Sequence, residues 1–207
     1  MLLLTLYVIG ITAEAMTGAL CAGRKHMDWF GVMFVASATA IGGGTVRDIL
    51  FGHYPLTWVA NPHFLVITCL AGLITPWIAS WVARNYKLFI TLDALGLAAF
   101  SIIGCRVAMD MGLPPLICMV SSLITGVFGG LLRDLICRQS PMVLHKELYA
   151  LVAFVTGALY FSLIRLDVGE LIATVASLVI GFGFRMAAVR FSWSLPVFRF
   201  EAPSSLH

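Results

Sequence analysis

The chain has 207 residues, 60% of them hydrophobic and 11% charged, with a formal net charge of +3 and a mean hydropathy of +0.99. Soluble domains carry roughly 45–50% apolar and about 25% charged residues, so a water-soluble fold is excluded and lipid is the solvent. The lysines and arginines come in twos without a basic stripe, which argues against nucleic acid as a partner.

The apolar residues fall into seven segments of about the length that crosses a hydrocarbon core as helix: 2–23, 29–51, 63–83, 88–108, 114–136, 147–165 and 168–190. The links are too short for a soluble domain. The opening Met1-Leu2-Leu3-Leu4 lacks a basic n-region, and its apolar run is too long for a cleavable signal, so it reads as the first span.

In the first segment Gly10, Glu14, Thr17, Gly18 and Cys21 share one narrow helix face. An ionisable side chain at that depth faces protein or water and is a functional candidate, although a protonated glutamate that only joins helices is the plainer alternative. Arg24-Lys25-His26 ends the segment, and Asp28 is placed to cap the next.

The second segment carries Thr39, Gly43 and Arg47 in line, within Gly42-Gly43-Gly44-Thr45-Val46-Arg47-Asp48. Three glycines each weaken a helix by roughly 1 kcal/mol relative to alanine, which predicts a break or kink. Arg47 and Asp48 point about 100° apart on a helix, which predicts partners on other helices rather than on each other. Pro55 and Pro62 bracket a turn whose His53, Tyr54 and Trp58 read as an interfacial anchor, and Pro76 predicts a kink in the third segment.

The pattern then restarts. Asp93 and Gly96 lie 86 positions after Tyr7 and Gly10, and Gly104 matches Gly18. The fifth segment repeats the polar stripe as Ser121, Thr125, Gly129 and Arg133, followed by Gly130, Asp134 and Pro141 in their places, with the same offset of 86 from Thr39 to Thr125 and from Arg47 to Arg133. Phe128 stands where Gly42 would recur and is a candidate gate. The sixth segment opens with Glu147. The seventh, with Gly181, Gly183 and Arg185, has no counterpart, and the tail from Phe191 reads as surface-lying or disordered.

A three-span repeat inverts, because an odd number of crossings turns the second copy over. The fold expected is therefore all-α and integral to the membrane: a first repeat over 1–83, an inverted second over 84–166, an extra helix over 167–190 and a cytoplasmic tail over 191–207. Short links on one side hold Arg24, Lys25, Arg84, Lys87, Arg138, Lys146, Arg190 and Arg199, and those on the other hold Arg106 and Arg165. That bias predicts an outward N-terminus and a cytoplasmic C-terminus.

Inverted repeats with interrupted helices line many solute pathways, while glycine faces also serve close packing alone. A cation channel would use backbone carbonyls and the hydroxyls of Thr39 and Thr125, with Glu14, Asp93, Asp48 and Asp134 supplying negative potential. A carrier of a small neutral amino acid would set Arg47, Arg133 or glycine amides on the carboxylate, and Glu14 or Asp93 on the ammonium. The residues alone support both. Five cysteines (Cys21, Cys69, Cys105, Cys118, Cys137) fit no metal motif, and no nucleophile–base spacing suggests an enzyme. No cofactor is expected beyond a permeant potassium ion, placed near Gly43 and Gly129. Cytoplasmic basic pairs would hold anionic lipid weakly.

The opening stretch from Ile9 to Gly18 and the two glycine–arginine–aspartate stretches resemble the small bacterial membrane family with two glycine-transporter domains. That family is similar in fold to the trimeric intracellular cation (TRIC) channels. The resemblance covers the chain to about residue 200. It implies a 3+3+1 helix arrangement, a homotrimer in the bacterial inner membrane and a pathway through each protomer. It also implies potassium-favouring conduction, with glycine uptake the alternative among close bacterial relatives.

Overall fold

The structure, a computed structural model, describes residues 2–83, 86–145 and 148–196, without the side chains of 78–83, 86, 87 and 145. The expectations placed on Arg84, Lys146, Glu147 and Arg199, and on the side chain of Lys87, lie outside the described residues. The described chain is helical throughout: α1 (Leu2–Arg24), α2 (Trp29–Phe51), α3 (Thr57–Ala60), α4 (His63–Ala83), α5 (Tyr86–Asp110), α6 (Pro115–Ile136), α7 (Met142–His145), α8 (Tyr149–Arg165) and α9 (Glu170–Arg190). This is an all-helical membrane protein. Helix is what lipid dictates, because each backbone N–H and C=O must find its partner within the segment.

α1, α2, α5, α6 and α9 are long and apolar enough to cross a bilayer, and α4 and α8 are shorter apolar helices over their described side chains. Phe30, Phe34, Val66, Trp77, Ile172 and Val179 stay exposed on the outside of the helices.

The ends are set by local chemistry. Asp28 caps α2 by accepting from the Gly31 amide at 2.7 Å, as the sequence predicts. Gly52 ends the same helix in the left-handed conformation (φ 69°), donating to the carbonyls of Asp48 and Ile49. Pro115 opens α6, where its missing N–H costs nothing.

The expected break at the glycines is corrected here. α2 runs unbroken through Gly42-Gly43-Gly44, and α6 through Gly129-Gly130. Helix propensities are measured against water, which competes for the backbone; in a bilayer that competitor is missing and the glycine penalty does not open the helix. α4 likewise continues as helix through Pro76.

The glycines act instead at a crossing. A Cβ on Gly43 would overlap the carbonyl oxygen of Thr125, and one on Gly129 would overlap that of Thr39. α2 and α6 thus touch backbone to backbone, as small-residue stripes permit. The contacts recur at the 86-residue offset. A Cβ on Gly18 would meet Thr39 Oγ1 at 2.6 Å, and one on Gly104 would meet Thr125 Oγ1 at 2.5 Å. α1 packs on α2 and α4, α5 packs on α6 and α8, and α9 lies against α5 and α8.

Candidate functional site

The polar stripes face inward. Gly10, Glu14, Thr17, Gly18 and Cys21 are buried on α1, Thr39, Gly43 and Arg47 on α2, and Ser121, Thr125, Gly129 and Arg133 on α6. Three hydroxyls return to backbone: Thr39 donates to Val35 O at 2.6 Å, Thr125 to Ser121 O at 2.7 Å and Ser121 to Gly104 O at 2.7 Å. All three residues are at most 2% exposed.

At the end of α2, Arg47 is 1% exposed and Asp48 0%. Contrary to the expectation of partners elsewhere, Arg47 donates to Asp48 itself, at 2.9 Å from Nε and 2.6 Å from Nη2. The backbone positions do diverge, but the long arginine stem folds back across the angle and lays the planar guanidinium on its neighbour's carboxylate. Asp48 also holds the following loop, accepting from the amide and hydroxyl of Thr57 at 2.8 Å each and lying 3.1 Å from His53 Nδ1. Arg47 reaches Thr57 Oγ1 at 3.0 Å.

The end of α6 repeats the arrangement. Arg133 Nε donates to Asp134 at 2.9 Å, and Asp134 accepts from Gln139 Nε2 at 3.0 Å and from the Met142 amide at 2.9 Å. His53 and Gln139 occupy equivalent positions, 86 apart, and make the same contact.

Here the copies diverge. Arg133 extends to Asp93 on α5 at 2.9 Å, to Thr17 on α1 at 3.1 Å, and has Glu14 at 3.9 Å. Asp93, Glu14 and Asp134 are all at most 2% exposed. One guanidinium therefore faces three carboxylates. At the equivalent of Asp93 the first copy has Tyr7, and at that of Glu14 the second has Phe100; these two rings meet edge to face at 6.0 Å. Among the described residues Arg47 has a single carboxylate in reach. Arg47 Nη1 and Arg133 Nη2 lack a hydrogen-bond partner among the described residues.

Phe89 stacks between Arg24 (5.2 Å) and Arg133 (5.0 Å), and buried Arg185 lies over the ring of Tyr149 at 4.6 Å. Gly42 faces the Leu132 side chain, and Gly44 and Gly130 lie beneath the guanidinium groups of Arg47 and Arg133. Phe128 is half-buried. A potassium ion between Gly43 and Gly129 has no room while the helices touch, since not even a methyl group fits. Trp58 turns back to donate to Thr45 at 3.1 Å.

Sequence reasoning passed over Thr57, Phe89, Gln139 and Tyr149, and it placed Thr17 on the polar face and His53 in the turn without their partners. His53 and Gln139 were findable, as polar residues at the repeat offset beside Pro55 and Pro141. Phe89 and Tyr149 carry no such signal, because their partners come from distant helices.

The sequence model described as glycine transporter matches twice, over residues 4–80 and 90–165. The chain belongs to the glycine transporter family. Within it, the UPF0126 inner membrane protein YadS of Escherichia coli (strain K12) is 36% identical over 97% of this chain and 98% of that protein. YvgT of Bacillus subtilis (strain 168) is 34% identical over 92% and 94%. Among solved structures, a TRIC trimeric intracellular cation channel orthologue from Rhodobacter sphaeroides superposes with a TM-score of 0.88 at 31% identity, covering 92% of this chain and 98% of that one. A second TRIC cation channel gives 0.86 at 32% identity, covering 96% and 98%. This glycine-transporter-family chain therefore has the TRIC-type fold expected from the sequence.

Proposed function

We propose that the protein is a seven-span channel for a monovalent cation, with potassium the favoured ion, assembled as a homotrimer with a pathway in each protomer. The observation that carries the choice of cation is the cluster at Arg133, where Asp93 and Asp134 outnumber the guanidinium two to one even with Glu14 counted as neutral. A negative surplus in a low-dielectric interior attracts cations and repels anions. Likeness to TRIC cation channels supports the same reading.

The two family matches support the division into a first repeat over 1–83 and an inverted second over 84–166, followed by the helix at 167–190 and the tail at 191–207. Both α4 and α8 count as spans in this reading. The N-terminus faces out and the C-terminus the cytoplasm, from the bias of Arg24, Lys25, Arg138 and Arg190 against Arg106 and Arg165. Thr39, Thr125, Ser121 and the glycines of α2 and α6 line the path, and Phe128 closes it. The touching backbones at Gly43 and Gly129 make the described conformation a closed one; conduction needs α2 and α6 to part.

A second reading is transport of glycine, favoured by one detail. A Cβ on Gly130 would lie 3.3 Å from the Tyr149 hydroxyl and 3.5 Å from Arg133 Nη2, and neither atom has a hydrogen-bond partner among the described residues. These two donors suit a carboxylate.

Purified protein in a planar bilayer under a potassium chloride gradient separates the readings. Unitary currents reversing near the potassium potential are expected. Silent bilayers together with labelled-glycine counterflow in liposomes would replace the channel by the carrier.

A further inference from the structure

A cavity of about 580 Å³ opens where the C-terminal ends of α5 and α8 meet, away from the arginine centres. That is within the roughly 300–1,000 Å³ usual for ligand pockets. Its charged lining is Arg106, Asp110, Arg165 and Asp167, and its apolar wall includes Phe161 and Ile164.

These four charges are not equivalent. Arg106 is engaged by Asp110 at 2.9 Å, with Glu170 at 3.9 Å. Among the described residues neither Arg165 nor Asp167 has a salt-bridge partner; Arg165 only rests on the Phe161 ring at 5.2 Å. A free guanidinium and a free carboxylate thus line one cavity, separated by one residue. That residue, Leu166, is 74% exposed, and Leu171 and Ile172 beyond it are 60% and 63% exposed. Leu166 thus stands, exposed, between two lining residues.

The geometry points to a binding site for a lipid whose headgroup joins a phosphate to a primary ammonium, a phosphoethanolamine lipid. Arg165 takes the phosphate, where a guanidinium matches the paired oxygens. Asp167 takes the ammonium, helped by the carbonyl ends of α5 and α8, which carry partial negative charge. The acyl chains run along Leu166, Leu171 and Ile172. A headgroup without the ammonium leaves Asp167 unmet, and a quaternary one cannot donate to it.

Native mass spectrometry of the delipidated protein, titrated with phosphatidylethanolamine, phosphatidylglycerol and phosphatidylcholine, tests this. Phosphatidylethanolamine is expected to bind about tenfold more tightly than the other two. Asp167→Asn should erase the preference, Arg165→Gln should weaken binding of all three lipids, and Arg165→Lys should keep part of the affinity. Both side chains are exposed, and asparagine tolerates the positive φ (57°) of Asp167, so folding is preserved; an unchanged melting temperature checks this. Equal binding of the three lipids, an intact preference in Asp167→Asn, or unchanged affinity in Arg165→Gln overturns the site. Free phosphoethanolamine should compete at millimolar concentration. Free glycine competing better than phosphoethanolamine would assign the cavity to a soluble amino acid and overturn the lipid.

Discussion

Arg133 and Asp93, on different helices and 40 residues apart, meet at 2.9 Å with both side chains at most 1% exposed. Removing one member of a buried ion pair costs about 3–5 kcal/mol, because the survivor stays charged and desolvated. Asp93→Asn leaves Arg133 with Asp134 and Glu14, so its cost should sit at the low end. Asp48→Asn leaves Arg47 with no carboxylate among the described residues and should cost more. Melting temperatures of the two variants in one detergent give the order, and the reverse order would remove the distinction between the centres.

The acid surplus sets a second expectation. Glu14→Gln and Asp93→Asn should each lower the potassium-to-chloride permeability ratio, and the double variant should lower it further. Reversal potentials in a potassium chloride gradient report this directly. Ratios equal to wild type in all three would take Glu14 and Asp93 out of the path.

Glycines of one triplet should respond differently. Gly43→Ala and Gly129→Ala push a methyl into a facing carbonyl and should cost about 1–3 kcal/mol each. Gly44→Ala meets nothing closer than Arg47 Nη2 at 3.7 Å, an ordinary van der Waals contact, so stability should stay near wild type. Equal destabilisation at positions 43 and 44 would contradict the backbone crossing.

The loop contact offers an exchange. His53→Gln copies what Gln139 already does for Asp134, so stability should stay within about 1 kcal/mol of wild type. Thr57→Val, which takes a hydroxyl from both Asp48 and Arg47, should cost about 1.5–3 kcal/mol, as expected for hydrogen bonds to charged groups. Chemical denaturation of both variants in parallel distinguishes a loop held by Asp48 from one held by packing alone.

The apolar helices, the polar stripes and the 86-residue repeat were legible because each depends on spacing along the chain. Burial of Glu14 among Gly10, Thr17 and Gly18, and of Arg133 below Thr125 and Gly129, follows from helical periodicity in lipid. The unbroken glycine helices were not legible, since propensity scales assume water around the backbone. Nor was the Arg47–Asp48 pair, which depends on a side-chain conformation rather than on the direction of the Cβ. The stacking of Phe89 between Arg24 and Arg133, and of Arg185 on Tyr149, joins helices far apart in sequence and leaves no local trace.

Tyr7 opposite Asp93, and Phe100 opposite Glu14, bear on how such a molecule could work. In a carrier that swaps shapes between repeats of inverted topology, inward and outward forms have matching energies only while the two arginine centres match in charge. Here the centre at Arg133 holds two additional carboxylates, Asp93 from its own repeat and Glu14 from the other. A swap would carry Arg47 into the place of Arg133 without the acids to receive it, so the two forms would be unequally populated from the start. This inequality between the two arginine centres fits the proposed channel better than a rocking exchange.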